Sequence, residues 1–310
     1  LRAAFAYWGY RAAGHPGSDA LIRLATAMEF FQAAALLHDD VMDGSDTRRG
    51  MPSAHRAVAA IHTESGWSGD SGRFGEATAI LAGDLCLQWT DELFSTSGLP
   101  AGHLMRARGM FDRMRTQLMG GQFLDVLESA RGWDGLTTDE RLACARRVIR
   151  YKSAKYTIEH PLLIGAMAGG ATASALDGLS RYGLALGEAF QLRDDLLGVF
   201  GDPSATGKPA GDDLREGKRT ALVAYTLDRL TQPEIERFGA LFGHADLDES
   251  GVAELRRVIT SAGGDAAVEA DIARLCREAS DALTGAAAHL DAHAVAVLDE
   301  LIAASTARTT

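Results

Sequence analysis

The sequence predicts an all-α helical bundle that folds as a single domain over residues 1–310. Apolar residues recur at the spacing of amphipathic helices through nearly every segment. No alternating apolar and polar run bounded by turn residues indicates a strand. Hydrophobic residues make up 46% of the chain, and much of this fraction is alanine, which suits closely packed helices. Because no linker, repeat or low-complexity tract divides the chain, we expect about ten to thirteen helices in one bundle.

The helices are placed by their start and stop signals. Gly14 ends the first pattern, and Ser18 or Asp19 caps a long helix that runs to the first acidic segment. Residues 201–217 carry the longest loop signal in the chain. Pro161 is expected to break or kink the helix that precedes it. The other helices are predicted over about residues 53–63, 76–95, 101–129, 138–159 and 174–200, with further helical patterns towards the end of the chain.

Charge and cysteine content limit the function classes. A formal net charge of −11 argues against a nucleic-acid partner and against an anionic membrane surface. The three cysteines, Cys86, Cys144 and Cys276, are scattered, which predicts a reducing cytoplasm without a disulfide framework or a zinc site. No signal peptide is visible and no uninterrupted apolar stretch approaches a membrane span, so no span is expected. The chain opens at Leu1 inside a helical pattern, so we expect further residues to precede it.

The segment LLHDDVMDGSDTRRG carries the first chemical signal. Residues four apart share a helix face, so Asp39 and Asp43 can reach one metal ion, while Asp40 points to another side and supports the site. Carboxylate oxygens suit Mg²⁺, which keeps several waters and prefers sites completed by phosphate oxygens. Arg48 and Arg49 follow the helix end, where guanidinium groups can bind phosphate oxygens in pairs. Metal-bound diphosphate is the predicted ligand; a solvated acidic turn is the alternative, which the helix dipole disfavours.

A second acidic pair, Asp194 and Asp195, ends another long apolar helical pattern, and Gln191 precedes it by one turn. Two such helices facing each other would clamp a diphosphate through bridging Mg²⁺ ions. The candidate metal ligands are Asp39, Asp40, Asp43, Asp194 and Asp195.

With these motifs the chain resembles the trans-type polyprenyl diphosphate synthases over essentially its whole length. The resemblance implies an isoprenoid-synthase-type bundle around a deep central cavity. It also implies a reaction in which isopentenyl diphosphate is joined head to tail to an allylic diphosphate (dimethylallyl, geranyl or farnesyl), with release of diphosphate. About three Mg²⁺ ions per active site are the expected cofactor, since they would offset the diphosphate charge. Family members are usually homodimers, so a homodimer is expected.

The resemblance assigns roles around the first cluster, where DDxxD and RRG match the family's motif. By the family's pattern, Asp39 and Asp43 ligate Mg²⁺. Arg48 is expected to bind the allylic diphosphate and Arg49 the isopentenyl diphosphate. The residues expected to promote ionisation of the allylic diphosphate are Asp39, Asp43, Lys152, Asp194 and Lys208.

Other motifs extend the expected substrate site. Arg2 resembles the last arginine of the family's GGKRxR motif, whose lysine would precede Leu1, so the isopentenyl site is expected to be incomplete in this numbering. Gln32 occupies a position that the family uses to contact the same diphosphate. YKSAKYT resembles a motif that places Lys152 and Ser153 on the allylic diphosphate.

The remaining matches lie in the cavity wall and in the loop after the second cluster. Gln122 and Asp125, in GGQFLDV, match the family's GQxxD segment. The loop matches GKxxxxDLxxGKxT, so Lys208 and Lys218 are expected on the diphosphate and Asp213 fits the aspartate before the second lysine. The expected substrate contacts are therefore Arg2, Gln32, Arg48, Arg49, Lys152, Ser153, Gln191, Lys208 and Lys218.

The second cluster departs from the family's pattern, because Gly198 stands where DDxxD would place its third aspartate. Since Mg²⁺ keeps its waters, we expect Asp194 to suffice and activity to survive. Asp194, Gly198 and Asp202 also loosely resemble a metal motif of class I terpene cyclases, which act on one prenyl diphosphate. Arg2 and Arg49, which equip a second diphosphate site, favour the synthase. A cyclase and a non-catalytic regulatory subunit are the alternatives.

Product length is expected to depend on the residues below the first aspartates. Ala34 and Ala35 are small, where short-chain relatives often carry aromatic residues, so growth past fifteen carbons is expected by resemblance. Phe30 and Phe31 lie one turn deeper and either stop the chain or belong to the ordinary core. Geranylgeranyl diphosphate is the expected product.

Overall fold

The computed structural model describes residues 1–133, 135–201, 211–244 and 246–307. In these ranges the fold is helical apart from one short hairpin, which confirms the all-α prediction. The first helices are α1 (Arg2–Ala12), α2 (Asp19–Met42), α3 (Ala54–Glu64), α4 (Ser71–Ser95), α5 (Ala101–Arg131) and α6 (Thr138–Val148). They are followed by a π-helix (Ile149–Glu159), α7 (His160–Ala168), α8 (Ala173–Phe200), α9 (Asp212–Arg215), α10 (Ala221–Asp228), α11 (Gln232–Gly239), α12 (Glu249–Ala262), α13 (Gly264–Ala286), a 3₁₀ turn (Ala287–His289) and α14 (Ala292–Thr306). The single-domain organisation stays a prediction.

Two hydrophobic clusters form the core around α2 and α8. α2 begins after Ser18, whose hydroxyl accepts a hydrogen bond from the Leu21 amide at 3.2 Å, as the sequence predicted. The buried side of α2, which includes Leu24 and Met28, packs against α1 and α4. The second cluster surrounds α8, which packs against the π-helix and α13. Both clusters include residues of the π-helix and α7, so these two elements join the halves of the core.

α2 is the helix that bears on the expectation that the chain has no membrane span. Over Asp19–Met42 it is long and apolar enough to cross a membrane by length and composition. The core helix of a globular bundle meets the same test. Since α2 packs within the bundle and ends in the acidic cluster, length and composition alone give weak evidence for a span.

The segment after α2 contains the one departure from helix. Strands β1 (Thr47–Arg48) and β2 (Met51–Pro52) pair in antiparallel fashion, in a region that the sequence predicted as loop. Arg49 and Gly50 form the turn, with φ angles of 54° and 74°. Two successive positive φ angles are typical of the type I′ hairpin turn. The hairpin fixes the position of Arg48 beside the end of α2.

The α6 to α7 region is continuously helical, and the π-helix occupies its centre. Pro161 was expected to break or kink the helix; it lies where the π-helix passes into α7, so the helical type changes next to Pro161 but the helix does not end. π-Helical turns are rare and often occur at functional sites. α5 contacts this segment closely at Gly121, where an added Cβ would lie 2.4 Å from the backbone nitrogen of Lys152. Gly121 thus allows α5 to approach the backbone that carries Lys152.

Candidate active site

A central pocket of about 250 Å³ lies between α1, α2, α5, the π-helix and α8. Its polar lining comes from both acidic clusters and from several cations. The pocket-lining residues that the sequence had singled out are Arg2, Gln32, Ala35, Asp39, Arg48, Gln122, Asp125, Lys152, Ser153, Gln191, Asp194, Asp195 and Lys218. Residues separated by most of the chain length are therefore brought to one cavity.

Asp39 is the centre of a charged network at the end of α2. Its Oδ1 accepts hydrogen bonds from Gln122 Nε2 at 2.7 Å and from Lys152 Nζ at 3.1 Å, and Arg48 lies 3.7 Å from its Oδ2. Burial alone would raise the pKa of Asp39, but the Lys152 ammonium and these hydrogen bonds hold the pKa below its ordinary value. Asp39 is thus a carboxylate kept ionised by its surroundings.

Asp40 faces away from the pocket and holds Arg48. It is buried, and its carboxylate accepts hydrogen bonds from Nε of Arg48 at 2.9 Å and from Nη2 of the same side chain. Although burial opposes it, this contact raises the pKa of the Arg48 guanidinium. The arrangement fits the supporting position expected for Asp40.

Asp43 caps the C-terminus of α2 next to Asp39. Loss of hydration and repulsion from the Asp39 carboxylate raise the pKa of Asp43 to about 6, despite opposing attraction from Lys152 and Lys218. Two carboxylates that repel each other in this way gain from a shared divalent cation. Asp43 is exposed rather than part of the pocket lining described above.

Lys152 links α2 to α5 from its place on the π-helix. Besides its bond to Asp39, its Nζ donates to Asp125 Oδ2 at 2.5 Å. Burial favours the neutral amine, but the two carboxylates raise the pKa of Lys152 above its ordinary value. Ser153 follows it and is also buried in the pocket wall. Lys152 therefore stays charged and can donate to an anion in the cavity.

The second acidic cluster, at the end of α8, lies in a different environment. Asp195 is buried and accepts a hydrogen bond from Gln191 Nε2 at 2.8 Å through Oδ1. Its Oδ2 has no hydrogen-bond partner within the described ranges. Burial raises the pKa of Asp195 to about 8, and the carboxylates of Asp213 and Asp194 act in the same direction. Among the described residues, Asp195 has no cation in hydrogen-bond contact of the kind that Asp39 has in Lys152.

The Lys218 ammonium interacts electrostatically with aspartates of both acidic clusters. Its Nζ is 2.8 Å from Glu216 and 3.4 Å from Asp213. Burial opposes its charge, but these carboxylates and Asp43 raise the pKa of Lys218 well above the usual value. The positive charge of Lys218 favours the ionised forms of Asp39, Asp43 and Asp195, whereas burial favours the neutral form of each. Lys218 is therefore a cation that acts on both acidic helix ends.

Arg2, Gln32 and Tyr156 form a polar corner of the pocket. Arg2 donates to Thr157 Oγ1 at 2.8 Å, and its guanidinium lies 4.0 Å from the centre of the Tyr156 ring. The Tyr156 hydroxyl donates to Gln32 Oε1 at 2.5 Å. Sequence reasoning missed Tyr156, although its position four residues after Lys152 would have placed both on one helix face.

Some predicted residues lie elsewhere. Arg49 is exposed in the hairpin turn. Phe31 and Ala34 are buried in the core, where Phe31 contacts the edge of Tyr156, and Phe30 contacts Trp89 in the same manner. The predictions for Lys208 and Asp202 lie outside the described residues.

The acidic residues fit Mg²⁺ in chemistry but do not complete its coordination by themselves. All candidate ligands are carboxylate oxygens, which Mg²⁺ prefers, and the buried Asp195 Oδ2 has no hydrogen-bond partner among the residues that the structure describes. Among the described residues no group of three or more acidic, histidine or cysteine side chains is close enough to hold a metal ion. Such a site is suited to an ion that keeps water and takes further oxygens from a phosphate ligand.

An all-α bundle with two acidic helix ends and buried cations around one pocket defines a protein of the isoprenoid-synthase type. The sequence comparison is more specific. The chain belongs to the polyprenyl synthetase family, whose sequence profile matches residues 1–259.

Individual relatives agree with this assignment. The geranylgeranyl diphosphate synthase of Mycobacterium tuberculosis is 33% identical over 264 residues, which are 85% of this chain and 68% of that protein. The geranylfarnesyl diphosphate synthase of Aeropyrum pernix is 34% identical over 217 residues, 69% of this chain. The match spans 61% of the Aeropyrum protein, less than two thirds of its length.

A solved structure is similar over nearly the whole chain. It is a geranylgeranyl pyrophosphate synthase from Corynebacterium glutamicum, crystallised with isoprenyl diphosphate and magnesium. The TM-score is 0.92 at 40% sequence identity, and the match covers 99% of this chain and 85% of that one. The overall arrangement of helices is thus similar to that of the Corynebacterium enzyme.

Proposed function

We propose that the protein is a Mg²⁺-dependent trans-prenyltransferase that joins isopentenyl diphosphate head to tail to an allylic diphosphate. Dimethylallyl, geranyl and farnesyl diphosphate are the proposed allylic substrates, and the products are diphosphate and a linear all-trans prenyl diphosphate. The observation that carries the proposal is the placement of Asp39, Asp194, Lys152 and Lys218 on one pocket. A site with carboxylates for a metal and lysines for a phosphate suits a ligand that carries both.

The charged residues would exchange partners when substrate binds. Lys152 and Arg48 are held by Asp39, Asp40 and Asp125 in the structure. Mg²⁺, with about three ions per site, would neutralise diphosphate oxygens and so stabilise the leaving group. Lys152 would then donate to the allylic diphosphate, and the Ser153 hydroxyl lies beside it on the same wall.

The order of the reaction follows from this charge distribution. Lys152, Arg48 and Lys218 would stabilise the diphosphate as the allylic C–O bond breaks. Leu36, Leu118 and Ile149 line the apolar part of the pocket and would exclude water from the resulting allylic cation. The isopentenyl double bond attacks this cation, and the released diphosphate accepts the proton that is lost. A general base from the protein is therefore unnecessary.

The second diphosphate is assigned to the polar corner that Arg2, Gln32 and Tyr156 form. Arg2 and Gln32 line the pocket there and are joined through Tyr156. Burial lowers the pKa of the Arg2 guanidinium, and its Nε has no hydrogen-bond partner among the residues described. A buried guanidinium with an unused donor is suited to an anionic ligand. Arg49 is proposed to reach the same substrate only if the hairpin turn moves.

Geranylgeranyl diphosphate is the proposed product. Ala35 lines the pocket below Asp39, and its small side chain leaves room there for a growing prenyl chain. Phe31 lies deeper, where it contacts Tyr156. The names of the relatives, geranylgeranyl and geranylfarnesyl diphosphate synthases, support a product longer than fifteen carbons.

The cytoplasm is the proposed location of the protein.

A homodimer is the proposed assembly. α4 and α5 each expose apolar side chains at helical spacing: Leu81, Leu85 and Trp89 on α4, and Met119 and Phe123 on α5. An exposed apolar surface of this kind is typical of protein–protein contacts. Analytical ultracentrifugation of the protein would give a dimer mass if the proposal is right, and a monomer at micromolar concentration would contradict it.

The reaction is tested by incubating the full-length protein with Mg²⁺, labelled isopentenyl diphosphate and one of the three allylic diphosphates. Elongated linear diphosphates are expected, with geranylgeranyl diphosphate as the longest abundant product. The control is the same mixture with excess chelator. Hydrocarbons or alcohols made from a prenyl diphosphate without isopentenyl diphosphate would instead indicate a cyclase. Inactivity with every pair of substrates would favour a regulatory subunit.

A further inference from the structure

A second cavity lies where the segment between α5 and α6 meets α10 and α11. Its volume is about 270 Å³, and we call it the α10–α11 cleft. The Phe238 and Phe242 rings on its floor lie 5.3 Å apart, from centroid to centroid. The apolar side chains of the floor are Val223, Leu227, Ile235, Phe238 and Phe242.

The polar side of the α10–α11 cleft consists of hydrogen-bond donors. The indole of Trp133 and the guanidinium groups of Arg141, on α6, and Arg219 line it. None of the described residues that line the cleft is acidic, although the chain as a whole has a formal net charge of −11. The charge of the cleft lining is therefore positive and opposite in sign to that of the chain.

Two of these donors are buried without a hydrogen-bond partner. Trp133 is 6% exposed, and its indole Nε1 has no acceptor in the part of the chain that the structure describes. Nε of Arg141 is also buried and has no partner among those residues. A buried N–H group without an acceptor is costly, and the N–H of a buried tryptophan usually finds one. Two unused donors at one cleft therefore indicate that an acceptor group binds there.

Arg219 lines both the α10–α11 cleft and the catalytic pocket. Its Nη1 donates to the backbone carbonyl of Ser129, near the end of α5, at 2.8 Å. Trp133 and Arg141 line the cleft and do not line the catalytic pocket. These two residues therefore distinguish a ligand in the cleft from a ligand in the catalytic pocket.

We propose that the α10–α11 cleft binds a small amphipathic anion, a phosphate or diphosphate ester of a short apolar chain, at a site separate from the catalytic pocket. The apolar floor holds the chain, and Arg141, Arg219 and the Trp133 N–H donate to the phosphate oxygens. A phosphate group offers three strong acceptor oxygens, one for each of these side chains. The cavity is smaller than the range of about 300–1,000 Å³ that is typical of sites for drug-sized ligands, so the chain is short. Binding at this site requires neither Mg²⁺ nor chain elongation and is therefore independent of the proposed reaction.

The simpler explanation of the unused donors is an ordered water molecule in the cleft. In that case phosphate esters would not bind, and the Trp133 N–H would keep the same surroundings in their presence. A measurement at the Trp133 indole separates the two explanations, because this group lines the cleft itself.

The probe is isopentenyl diphosphate, titrated with excess chelator into protein that carries ¹⁵N-labelled tryptophan. The chain has four tryptophans, so the ¹H–¹⁵N spectrum contains four indole signals, and the variant Trp133→Phe identifies the one from Trp133. We expect this signal to shift in a saturable manner. The signal of Trp67, which is exposed between α3 and α4, is the internal reference. An unchanged Trp133 signal at millimolar probe would overturn the proposal.

Two further ligands show which part of the probe is bound. Inorganic diphosphate has no chain, so it is expected to bind at least about 10-fold more weakly, and equal binding would overturn an amphipathic ligand. Pentyl phosphate has the same chemistry but does not come from the proposed reaction. Tighter binding of isopentenyl diphosphate would assign the cleft to a prenyl diphosphate, and tighter binding of pentyl phosphate would assign it to another phosphate ester; either result supports the site.

Two variants test whether the signal change arises in the cleft. Arg141→Gln removes a charged donor and is expected to weaken binding about 10-fold or more. Arg2→Gln changes a side chain that lines the catalytic pocket and does not line the cleft, so the Trp133 titration is expected to stay unchanged. The reverse pattern would show that the signal reports a ligand in the catalytic pocket, and it would overturn the proposal.

A matched pair of variants at Gly239 gives the same test if Arg141→Gln does not fold. Gly239 lines the cleft, and nothing lies within 4 Å of a Cβ added to it. Gly239→Asp adds a negative charge without a clash and is expected to weaken binding about 5- to 10-fold, whereas Gly239→Asn adds a similar shape without the charge and is expected to stay within about twofold. Equal affinities of these two variants would overturn an anionic ligand.

Discussion

Each acidic helix end contains an Asp-Asp pair, and one aspartate of each pair, Asp39 on α2 and Asp195 on α8, can be compared directly. At the end of α2, Asp39 contacts Lys152 and Asp40 contacts Arg48. At the end of α8, Asp195 receives one amide hydrogen bond and lies near further carboxylates. Accordingly the pKa of Asp39 is lowered and that of Asp195 is raised to about 8. Both helix ends share the Asp-Asp motif, but the cations near the aspartates come from other elements. The protonation of each aspartate therefore depends on the tertiary structure and not on the motif alone.

This difference suggests a division of labour between the clusters. In the first cluster, Asp39 is ionised before any ligand binds. Lys152 and Arg48, which donate to aspartates there, can instead donate to a bound diphosphate. The second carries an aspartate that favours the neutral form near pH 7 until a cation arrives. The first cluster would therefore attract a cation and its diphosphate, and the second would gain its full charge as they bind. The three predictions below test this contrast, from the largest expected effect to the smallest.

The largest effect is expected at Asp39. Asp39→Asn keeps the shape of the side chain but removes the charge that Lys152 and Arg48 share, and a neutral amide is a poorer ligand for Mg²⁺. We expect kcat for chain elongation to fall on the order of 100-fold or more. The measurement is incorporation of labelled isopentenyl diphosphate at saturating Mg²⁺ and substrates. A fall smaller than about fivefold would show that the first cluster is not the main metal site.

A smaller effect is expected when the π-helix is displaced from the first cluster. Gly121→Ala would place a Cβ 2.4 Å from the Lys152 backbone, so α5 and the π-helix must separate and Lys152 must shift from Asp39. Overpacking of this kind costs about 1–3 kcal/mol of unfolding free energy. Urea unfolding measures this loss, and the elongation assay is expected to show reduced kcat as well.

Gly120→Ala is the matched control, because nothing lies within 4 Å of the Cβ that it adds. Alanine favours a helix over glycine by up to about 1 kcal/mol, so this variant is expected to be equal or greater in stability. Equal behaviour of the two variants would show that the close contact of α5 with the π-helix does not position Lys152.

Local signals made much of the fold predictable from sequence. Ser18 begins α2 because its hydroxyl caps the helix, and the acidic segment ends that helix as expected. The π-helix was not predictable, because its sequence reads as ordinary helix and its neighbour Gly121 is distant in the chain. The hairpin at Arg49 was missed, since a positive φ at a residue other than glycine leaves no strong sequence signal.

In the candidate site, too, some features were predictable from local sequence and others depend on contacts between distant parts of the chain. Asp39, Lys152 and Lys218 were found by motif, and the structure places them on one pocket. Their charge states and partners depend on contacts across the bundle that no spacing rule contains. From the sequence, Gly198 was interpreted as the loss of the third aspartate of the DDxxD motif. Its contact with Asp213 depends on how the chain returns to α8 after the long loop.

The smallest effect is expected in the pH dependence of the metal-free protein. The pKa of Asp195 is about 8 in the folded state, against about 3.9 for an unfolded aspartate. Between these values the folded state holds a proton that the unfolded state releases, so stability falls as pH rises towards 8. Asp195→Asn cannot titrate, so its unfolding free energy should fall less than that of the unchanged protein between pH 6 and 7, by at most about 1.4 kcal/mol. Urea unfolding with chelator at the two pH values measures the difference. Parallel pH dependence of the two proteins would mean that Asp195 is already ionised without a metal, and the contrast between the two clusters would be lost.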